Sequence, residues 1–154
     1  MAVHILQRRQ AVTGSRDEVW QFFSSPHNLT QITPPEMAFT VVTPDLPEHI
    51  YPGLMIEYRV CPLGGVPITW LSEITHVREG YSFVDEQRLG PYRLWHHEHA
   101  LVDAGDGRVL IADRVTYVLP GGWLGELGHP WLVKPQLERI FRFREEAIRR
   151  LFPG

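Results

Sequence analysis

Two histidines that stand one residue apart, His97 and His99, form the pair with the clearest chemical potential in this sequence. In a β-strand, side chains two positions apart lie on one face, about 6–7 Å from each other along the chain. Imidazole titrates near neutral pH and also binds transition metals. Such a pair can therefore serve acid–base chemistry or hold a metal ion, if the fold brings further groups to the same face.

Carboxylates and a phenol elsewhere in the chain can complete an acid–base set. Asp85 or Asp113 can orient an imidazole ring, and a partly buried Tyr117 can donate to a developing enolate. The same residues also suit a buried polar network that orients the strands and shapes a cavity. Both interpretations stay open, with His97, His99 and Asp113 as the candidate catalytic residues.

A metal site needs a third ligand beside the two histidines. Cys61 does not complete an obvious ligand set, and neither do the histidines at other positions, which include His4, His27, His49, His76 and His129. The alternative is that Asp85, Gln87 or Asp113 satisfies both rings through hydrogen bonds. We therefore expect no metal and no cofactor.

Length and composition indicate one globular domain over residues 1–154. The 15 Lys+Arg and 18 Asp+Glu residues give a formal charge of −3, which lacks the basic excess typical of nucleic-acid-binding proteins. A single cysteine excludes an intrachain disulfide and fits a reducing compartment. No apolar run approaches the roughly 18 residues of a membrane span, and no signal-peptide core is present. We expect a cytoplasmic protein with no nucleic-acid partner and no stable membrane insertion.

The elements that must position these residues follow from turn signals and periodicity. Enrichment in β-branched and aromatic residues between turns predicts seven strands. The first ends at Thr13, and the others are Met37–Thr43, Leu54–Cys61, Val66–Val77, Tyr81–Leu89, Arg93–Asp103 and Arg108–Leu119. Most connections are short enough for hairpins, which predicts an antiparallel meander.

Two short helices are predicted between the first two strands. Ser15 and Glu18 match a capping box, which begins a helix that runs to about Ser24. Ser25-Pro26 begins a second short helix, because proline suits the first helical position. The Thr33-Pro34-Pro35 segment ends it, since proline disfavours helical geometry in the preceding residue.

A long helix is predicted at the C-terminus. Its apolar stripe consists of Leu137, Ile140, Phe141, Ile148, Leu151 and Phe152. Either the helix begins at Pro135, or a short turn over 131–134 is kinked against it. A sheet of about seven strands curls, and its concave face can bury this stripe. The prediction is an α+β fold with a cavity between the curled sheet and the helix.

Several motifs resemble the SRPBCC (START-like, Bet v 1-like) superfamily, over about residues 3–152. The matching segments are Phe83-x-Asp85-x-Gln87, Gly90-Pro91-Tyr92-x-x-Trp95-x-His97-x-His99, Asp113-x-Val115-x-Tyr117-x-Leu119-Pro120 and Leu137-x-x-Ile140-Phe141-x-x-Arg144. The resemblance implies a helix-grip fold, and is closest to bacterial polyketide cyclase/dehydrase-like ligand-binding members. The superfamily includes lipid carriers, hormone binders, aromatases and cyclases, so fold does not decide function.

The strand 93–103 decides which side chains face the cavity. Composition slightly favours its even positions as the apolar face, whereas the resemblance favours Trp95, His97 and His99. We predict that the odd positions face inward. A five-residue turn over 103–107 then places Asp113 opposite His97, and a four-residue turn would reverse the face.

The leading hypothesis is the binding of a small hydrophobic molecule, with one polar end, in the cavity. The predicted ligand-binding residues are Trp70, Phe83, Asp85, Gln87, Trp95, Tyr117 and Phe141. A second hypothesis is a polyketide cyclase, aromatase or dehydratase that uses His97 or His99 as the base. A third is a regulatory protein-interaction module, which predicts a filled core and an exposed apolar patch.

Glycine-rich and proline-rich segments are candidates for the rim of the cavity. The segment 121–128 carries four glycines among Trp and Leu residues, and is predicted to be either a mobile lid or a simple connector. The loops over 44–53 and 61–67 are further candidates for the rim.

Overall fold

Seven strands form one antiparallel sheet in the computed structural model, which describes residues 1–62 and 65–153. They are β1 (His4–Thr13), β2 (Thr40–Val41), β3 (Met55–Val60), β4 (Ile68–Arg78), β5 (Ser82–Leu89), β6 (Leu94–Gly105) and β7 (Arg108–Val118). Their order across the sheet is β1-β7-β6-β5-β4-β3-β2. Strands β2 to β7 therefore form the predicted meander, and β1 pairs with β7.

The strand predicted over Met37–Thr43 is much shorter than expected, with only Thr40–Val41 in the sheet. Pro35–Met37 forms a 3-10 turn, and Ala38 adopts a left-handed conformation with φ 46°. Proline at the start of this turn has a backbone angle that favours helical geometry, so the chain enters the sheet three residues later than its apolar pattern predicts.

The capping box is confirmed at the start of α1 (Arg16–Phe23). The Ser15 hydroxyl accepts from the Glu18 backbone N–H at 3.2 Å, and the Glu18 carboxylate accepts from the Ser15 backbone N–H at 2.8 Å. The second short helix is a 3-10 segment over Pro26–Ile32. These two segments pack at one end of the sheet, where Val19 and Trp20 are buried.

The C-terminal helix is longer than predicted, because the glycine-rich segment belongs to it. Helix α2 (Gly122–Gly128) continues through a π-helical turn (His129–Val133) into α3 (Lys134–Leu151). Proline at 130 and 135 removes two helical N–H donors near this turn. The segment 121–128, predicted to be a lid or a connector, is helical from Gly122 to Gly128.

Helix α3 packs most of its predicted apolar stripe against the concave face of the sheet, whereas Leu151 at its end is 40% exposed. Leu137, Phe141 and Ile148 are buried in this contact. The facing positions of the sheet are the predicted ones, since Leu54, Ile56, Tyr58 and Val60 are buried along the segment that contains β3. Among the described residues, no helix is long and apolar enough to cross a membrane.

The hairpin between β6 and β7 confirms the predicted face but corrects the predicted register. His99 pairs with Asp113 and His97 with Val115, two positions away from the expected pairing of His97 with Asp113. Strand β6 ends at Gly105 and β7 begins at Arg108, and the pairing shifts by one residue between Asp103 and Gly105. A shift by two residues keeps every side chain on its face, so Trp95 and His97 are buried as predicted.

Candidate functional site

A cavity of about 380 Å³ lies between the concave face of the sheet and α3. Its wall is mainly apolar and is built from the 3-10 segment, β3, β4 and α3. Members of this wall are Leu29, Ile56, Val60, Ile74, Leu137 and Ile140. Partly exposed lining residues at the surface include Met37, Pro62 and Gln136. Residues 63 and 64 of the predicted rim loop over 61–67 lie outside the described residues.

Most of the predicted ligand-binding residues line this cavity. Trp70, Phe83, Trp95 and Phe141 contribute aromatic surface. Trp70 and Trp95 meet edge to face, with ring centroids 5.3 Å apart. Ser72 accepts a hydrogen bond from the Trp70 indole at 3.0 Å, so the indole N–H is satisfied inside the apolar wall.

Gln87 and Tyr117, which were also predicted to touch a ligand, make other contacts in the structure. The Gln87 amide donates to the Tyr92 carbonyl at 2.6 Å and accepts from its N–H at 3.0 Å, which fixes the connection between β5 and β6. The Tyr117 hydroxyl lies 2.7 Å from His129 Nε2. His129 in turn stacks on His4 with ring centroids 3.8 Å apart, so this group joins the C-terminal helix to β1.

The imidazole and carboxylate groups of the cavity wall form a compact cluster. His99 Nε2 donates to Asp85 Oδ2 at 2.6 Å, and His97 Nε2 donates to Asp113 Oδ1 at 2.8 Å. The two imidazole rings stack with their centroids 3.6 Å apart, and Phe83 stacks on the outer side of His99 at 4.1 Å. Asp85, His97 and His99 line the cavity, and Asp113 lies behind them.

Arg144 joins the cluster from helix α3. Its guanidinium Nη2 lies 3.3 Å from Asp113 Oδ1 and 3.4 Å from His99 Nδ1. The side chains of Arg144 and Asp113 are only 8% and 7% exposed. An ion pair between α3 and β7 is thus buried directly behind the histidines.

The electrostatics of the cluster favour ionised carboxylates. Burial opposes the charge on Asp113, but Arg144 and the hydrogen bonds from His97 and His99 hold its pKa well below the ordinary value. Burial likewise opposes the charge on Asp85, yet the hydrogen bond from His99 and the nearby positive charges lower its pKa. Both carboxylates are therefore anionic at neutral pH.

The two histidines respond in opposite directions to these surroundings. Burial and the proximity of His99 lower the pKa of His97. Burial also opposes the charge on His99, but hydrogen bonds to Asp113 and Asp85 outweigh it and raise the pKa of His99. His99 is thus the histidine of the pair that the cluster favours in its protonated form, and His97 is the one that it favours in its neutral form.

Arg144 is the member of this cluster whose role the sequence analysis missed. It appeared there only as part of a family motif, and no role was assigned to it. Its spacing contains the necessary signal, because Leu137, Phe141, Arg144 and Ile148 follow the 3.6-residue repeat of one helix face. An arginine in an otherwise apolar stripe indicates a buried partner of opposite charge.

Comparisons with known proteins identify the fold. No protein-family model matches the sequence, and no curated protein matches it either. Among solved structures, the Zhui aromatase/cyclase from Streptomyces sp. R1128 superposes with a TM-score of 0.73 at 15% identity, covering 99% of this chain and 98% of that chain. Norcoclaurine synthase from Thalictrum flavum, in complex with dopamine and hydroxybenzaldehyde, has a TM-score of 0.66 at 12% identity, covering 96% and 87%.

Major latex-like protein 151 from Panax ginseng is similar over a comparable length. Its TM-score is 0.65 at 15% identity, and the match covers 94% of this chain and 96% of that chain. Identities in this range establish a shared backbone arrangement and leave the ligand and the chemistry to be argued from the site. The chain therefore shares the helix-grip fold of these proteins, which is the fold that the resemblance of its sequence motifs implied.

Proposed function

We propose that this protein binds a small hydrophobic molecule, lipid-like or polyketide-like, whose one polar end lies against Asp85, His97 and His99. The observation that carries the proposal is a largely apolar cavity of about 380 Å³ with a compact cluster of imidazole and carboxylate groups in its wall. Small-molecule sites typically measure ~300–1,000 Å³ and combine apolar walls with a few polar groups.

The size of the cavity is itself evidence for an occupant. At ~24 cal/mol per Å³, an apolar void of about 380 Å³ would cost roughly 9 kcal/mol if it stayed empty. That cost is comparable with the entire stability of a domain, about 5–15 kcal/mol. Water or a ligand must therefore fill the space, and a largely apolar wall favours an apolar guest.

Displacement of a lipophilic dye tests this function. We expect 1-anilinonaphthalene-8-sulfonate to bind with micromolar affinity and to fluoresce strongly when bound. Medium-chain fatty alcohols should displace it and lower the fluorescence. Val60→Trp, which adds bulk to the cavity wall, should weaken dye binding at least tenfold, because its side chain occupies the space of the guest. Native mass spectrometry should detect the retained alcohol.

Val102→Trp is the matched control, because Val102 is 51% exposed on the outer face of β6. This variant should bind the dye like the unmodified protein. If the unmodified protein binds no apolar compound, or if Val60→Trp binds dye as well as Val102→Trp, the proposed function is wrong.

Acid–base catalysis on a polyketide-like substrate is the second candidate. It is favoured by the two histidine–carboxylate hydrogen bonds of 2.6 and 2.8 Å in the cavity wall. Cyclisation or dehydration of a poly-β-ketone chain requires proton transfer inside an apolar pocket. Changing both His97 and His99 to Gln should then lower turnover of a linear poly-β-ketone thioester by about 10²–10⁴-fold, while dye binding is kept.

His96→Gln is the control for this experiment, because His96 lies on the other face of β6, where it contacts Glu86 at 3.2 Å. Equal turnover by the double variant and by His96→Gln would dismiss catalysis by these histidines.

The third hypothesis, a protein-interaction module, predicted a filled core. The cavity contradicts that expectation, although α2 and the π-helical turn do expose apolar side chains: Trp123, Leu124, Leu127, Trp131 and Leu132.

A further inference from the structure

We infer that Asp85, His97 and His99 form a binding site for a divalent transition-metal ion, with open coordination positions that face the cavity. The inference goes beyond the proposed function, because a metal can bind here whether or not the apolar cavity is filled. It also revises our expectation from sequence, which looked for a third ligand among the remaining histidines and Cys61. The neighbouring strand β5 supplies that ligand as a carboxylate.

The geometry of the three side chains supports the site. One potential ligand atom from each residue lies within 4.8 Å of the other two. Asp85 Oδ2 is 2.6 Å from His99 Nε2 and 3.8 Å from His97 Nδ1. Metal–ligand bonds of about 2.1 Å place neighbouring ligand atoms about 3–3.5 Å apart. Rotation of the two imidazoles out of their stacked arrangement brings all three atoms onto one ion, which takes the place of the proton between His99 and Asp85.

A second carboxylate holds both rings in the orientation that such a site needs. Asp113 Oδ1 lies 2.8 Å from Nε2 of His97 and 3.3 Å from Nδ1 of His99. These are the nitrogens that do not point at Asp85. Metal-binding histidines almost always donate their outer N–H to a carboxylate or carbonyl, which directs the lone pair of the other nitrogen to the ion. Asp113 can serve both histidines in this way.

Arg144 completes the surroundings without competing for the metal. Its guanidinium has no lone pair to donate, and it lies 3.3 Å from Asp113, whose negative charge it compensates. The strand pairing adds rigidity, because Asp85 and His97 are directly opposite each other on β5 and β6. The ligand set is therefore carried by two paired strands and not by a loop.

The donor set indicates the kind of ion. Two imidazoles and one carboxylate suit Zn²⁺, Co²⁺ or Fe²⁺, whereas Mg²⁺ and Ca²⁺ need more oxygen ligands. Three protein ligands leave one or more positions free on the side of the cavity. The carboxylates of Asp85 and Asp113 carry two negative charges, and the Arg144 guanidinium carries one positive charge. A bound divalent ion therefore leaves the site with a net positive charge. The group that completes the coordination is then an anion such as an enolate, a carboxylate or hydroxide.

Cobalt is the probe that tests the site. The purified protein is treated with a chelator, dialysed and titrated with Co²⁺, and visible absorption reports on ligand number. We expect one Co²⁺ per chain, a visible band that saturates in the micromolar range, and displacement by Zn²⁺. Asp85→Asn should weaken Co²⁺ binding at least tenfold, since it removes the only anionic ligand of the set.

Glu86→Gln is the matched control, because Glu86 and His96 form a similar pair on the outer face of the same two strands, 3.2 Å apart. It should leave Co²⁺ binding unchanged. The inference fails if the unmodified protein does not bind Co²⁺ or Zn²⁺ stoichiometrically, or if Asp85→Asn binds Co²⁺ as tightly as Glu86→Gln.

Dye binding by the metal-free protein separates this outcome from a failure of the proposed function. A protein that binds dye but no Co²⁺ would retain its proposed function and overturn the metal site. A protein that binds Co²⁺ but no dye would retain the metal site and overturn the proposed function. Far-ultraviolet circular dichroism of Asp85→Asn confirms that a lost metal does not reflect a lost fold.

Discussion

Replacing Arg144 by methionine is expected to lower the free energy of unfolding by about 3–5 kcal/mol, measured by urea denaturation. Methionine keeps most of the apolar stem but leaves Asp113 buried without its strongest positive partner. The side chains of Arg144 and Asp113 are both more than nine-tenths buried, so solvent cannot compensate for the missing charge. The loss is large compared with the total stability of a domain of this size.

Arg142→Met is the matched control on the exposed face of the same helix, and its effect should stay within about 0.5 kcal/mol. Adding Asp113→Asn to Arg144→Met should recover part of the loss, because it removes the uncompensated charge. A loss below about 1 kcal/mol in Arg144→Met would show that the cluster does not depend on this ion pair.

The second large effect is expected from Gly125→Ala in α2. A Cβ atom at this position would lie 2.0 Å from the Pro120 carbonyl oxygen, where no side chain fits. The helix must then move away from the end of β7 or the turn before it must distort. We expect a destabilisation of about 2–4 kcal/mol in thermal or urea unfolding, within the range for severe steric changes.

Gly128→Ala provides the control three residues later in the same helix. The nearest atom to its added Cβ would be a Leu132 methyl at 3.8 Å, an ordinary contact. Because alanine is the better helix former by about 0.8–1 kcal/mol, this variant should be neutral or more stable. Similar stabilities for the two variants would contradict the close approach of α2 to Pro120.

The Arg144 variants concern a cluster that has two roles in the molecule. The Arg144–Asp113 pair ties α3 to the sheet, and the histidines held by Asp113 form the polar end of the cavity. Residues that we propose to contact the ligand are therefore joined by direct hydrogen bonds to the residues that tie α3 to the sheet. Variants of His97 or His99 must be tested for stability as well as for binding.

Much of the fold could be predicted from sequence because its signals are local. Ser15 and Glu18 lie three residues apart and cap a helix wherever the chain places it. The alternation along β3 and β7 depends only on the two-residue repeat of a strand. For β6, however, alternation was ambiguous, and only the family resemblance favoured the face that carries His97 and His99.

Other features depend on contacts between distant parts of the chain. Glycines over 121–128 indicate a loop by local propensity, but in the structure Gly122–Gly128 is helical and continues into α3. The register between β6 and β7 depends on the position of the hairpin turn. In the structure this turn places Asp113 opposite His99. Neither outcome is encoded by the nearest neighbours in sequence alone.

The sequence by itself determined the order of elements, the helix-grip arrangement and most of the residues that face the cavity. Only the tertiary structure decided that Arg144 lies beside Asp113, and that Asp85 lies against both histidines in the cavity wall. The physical reason is that propensity and periodicity act over a few residues, whereas a buried charge is compensated by whichever partner the folded chain brings within a few ångströms.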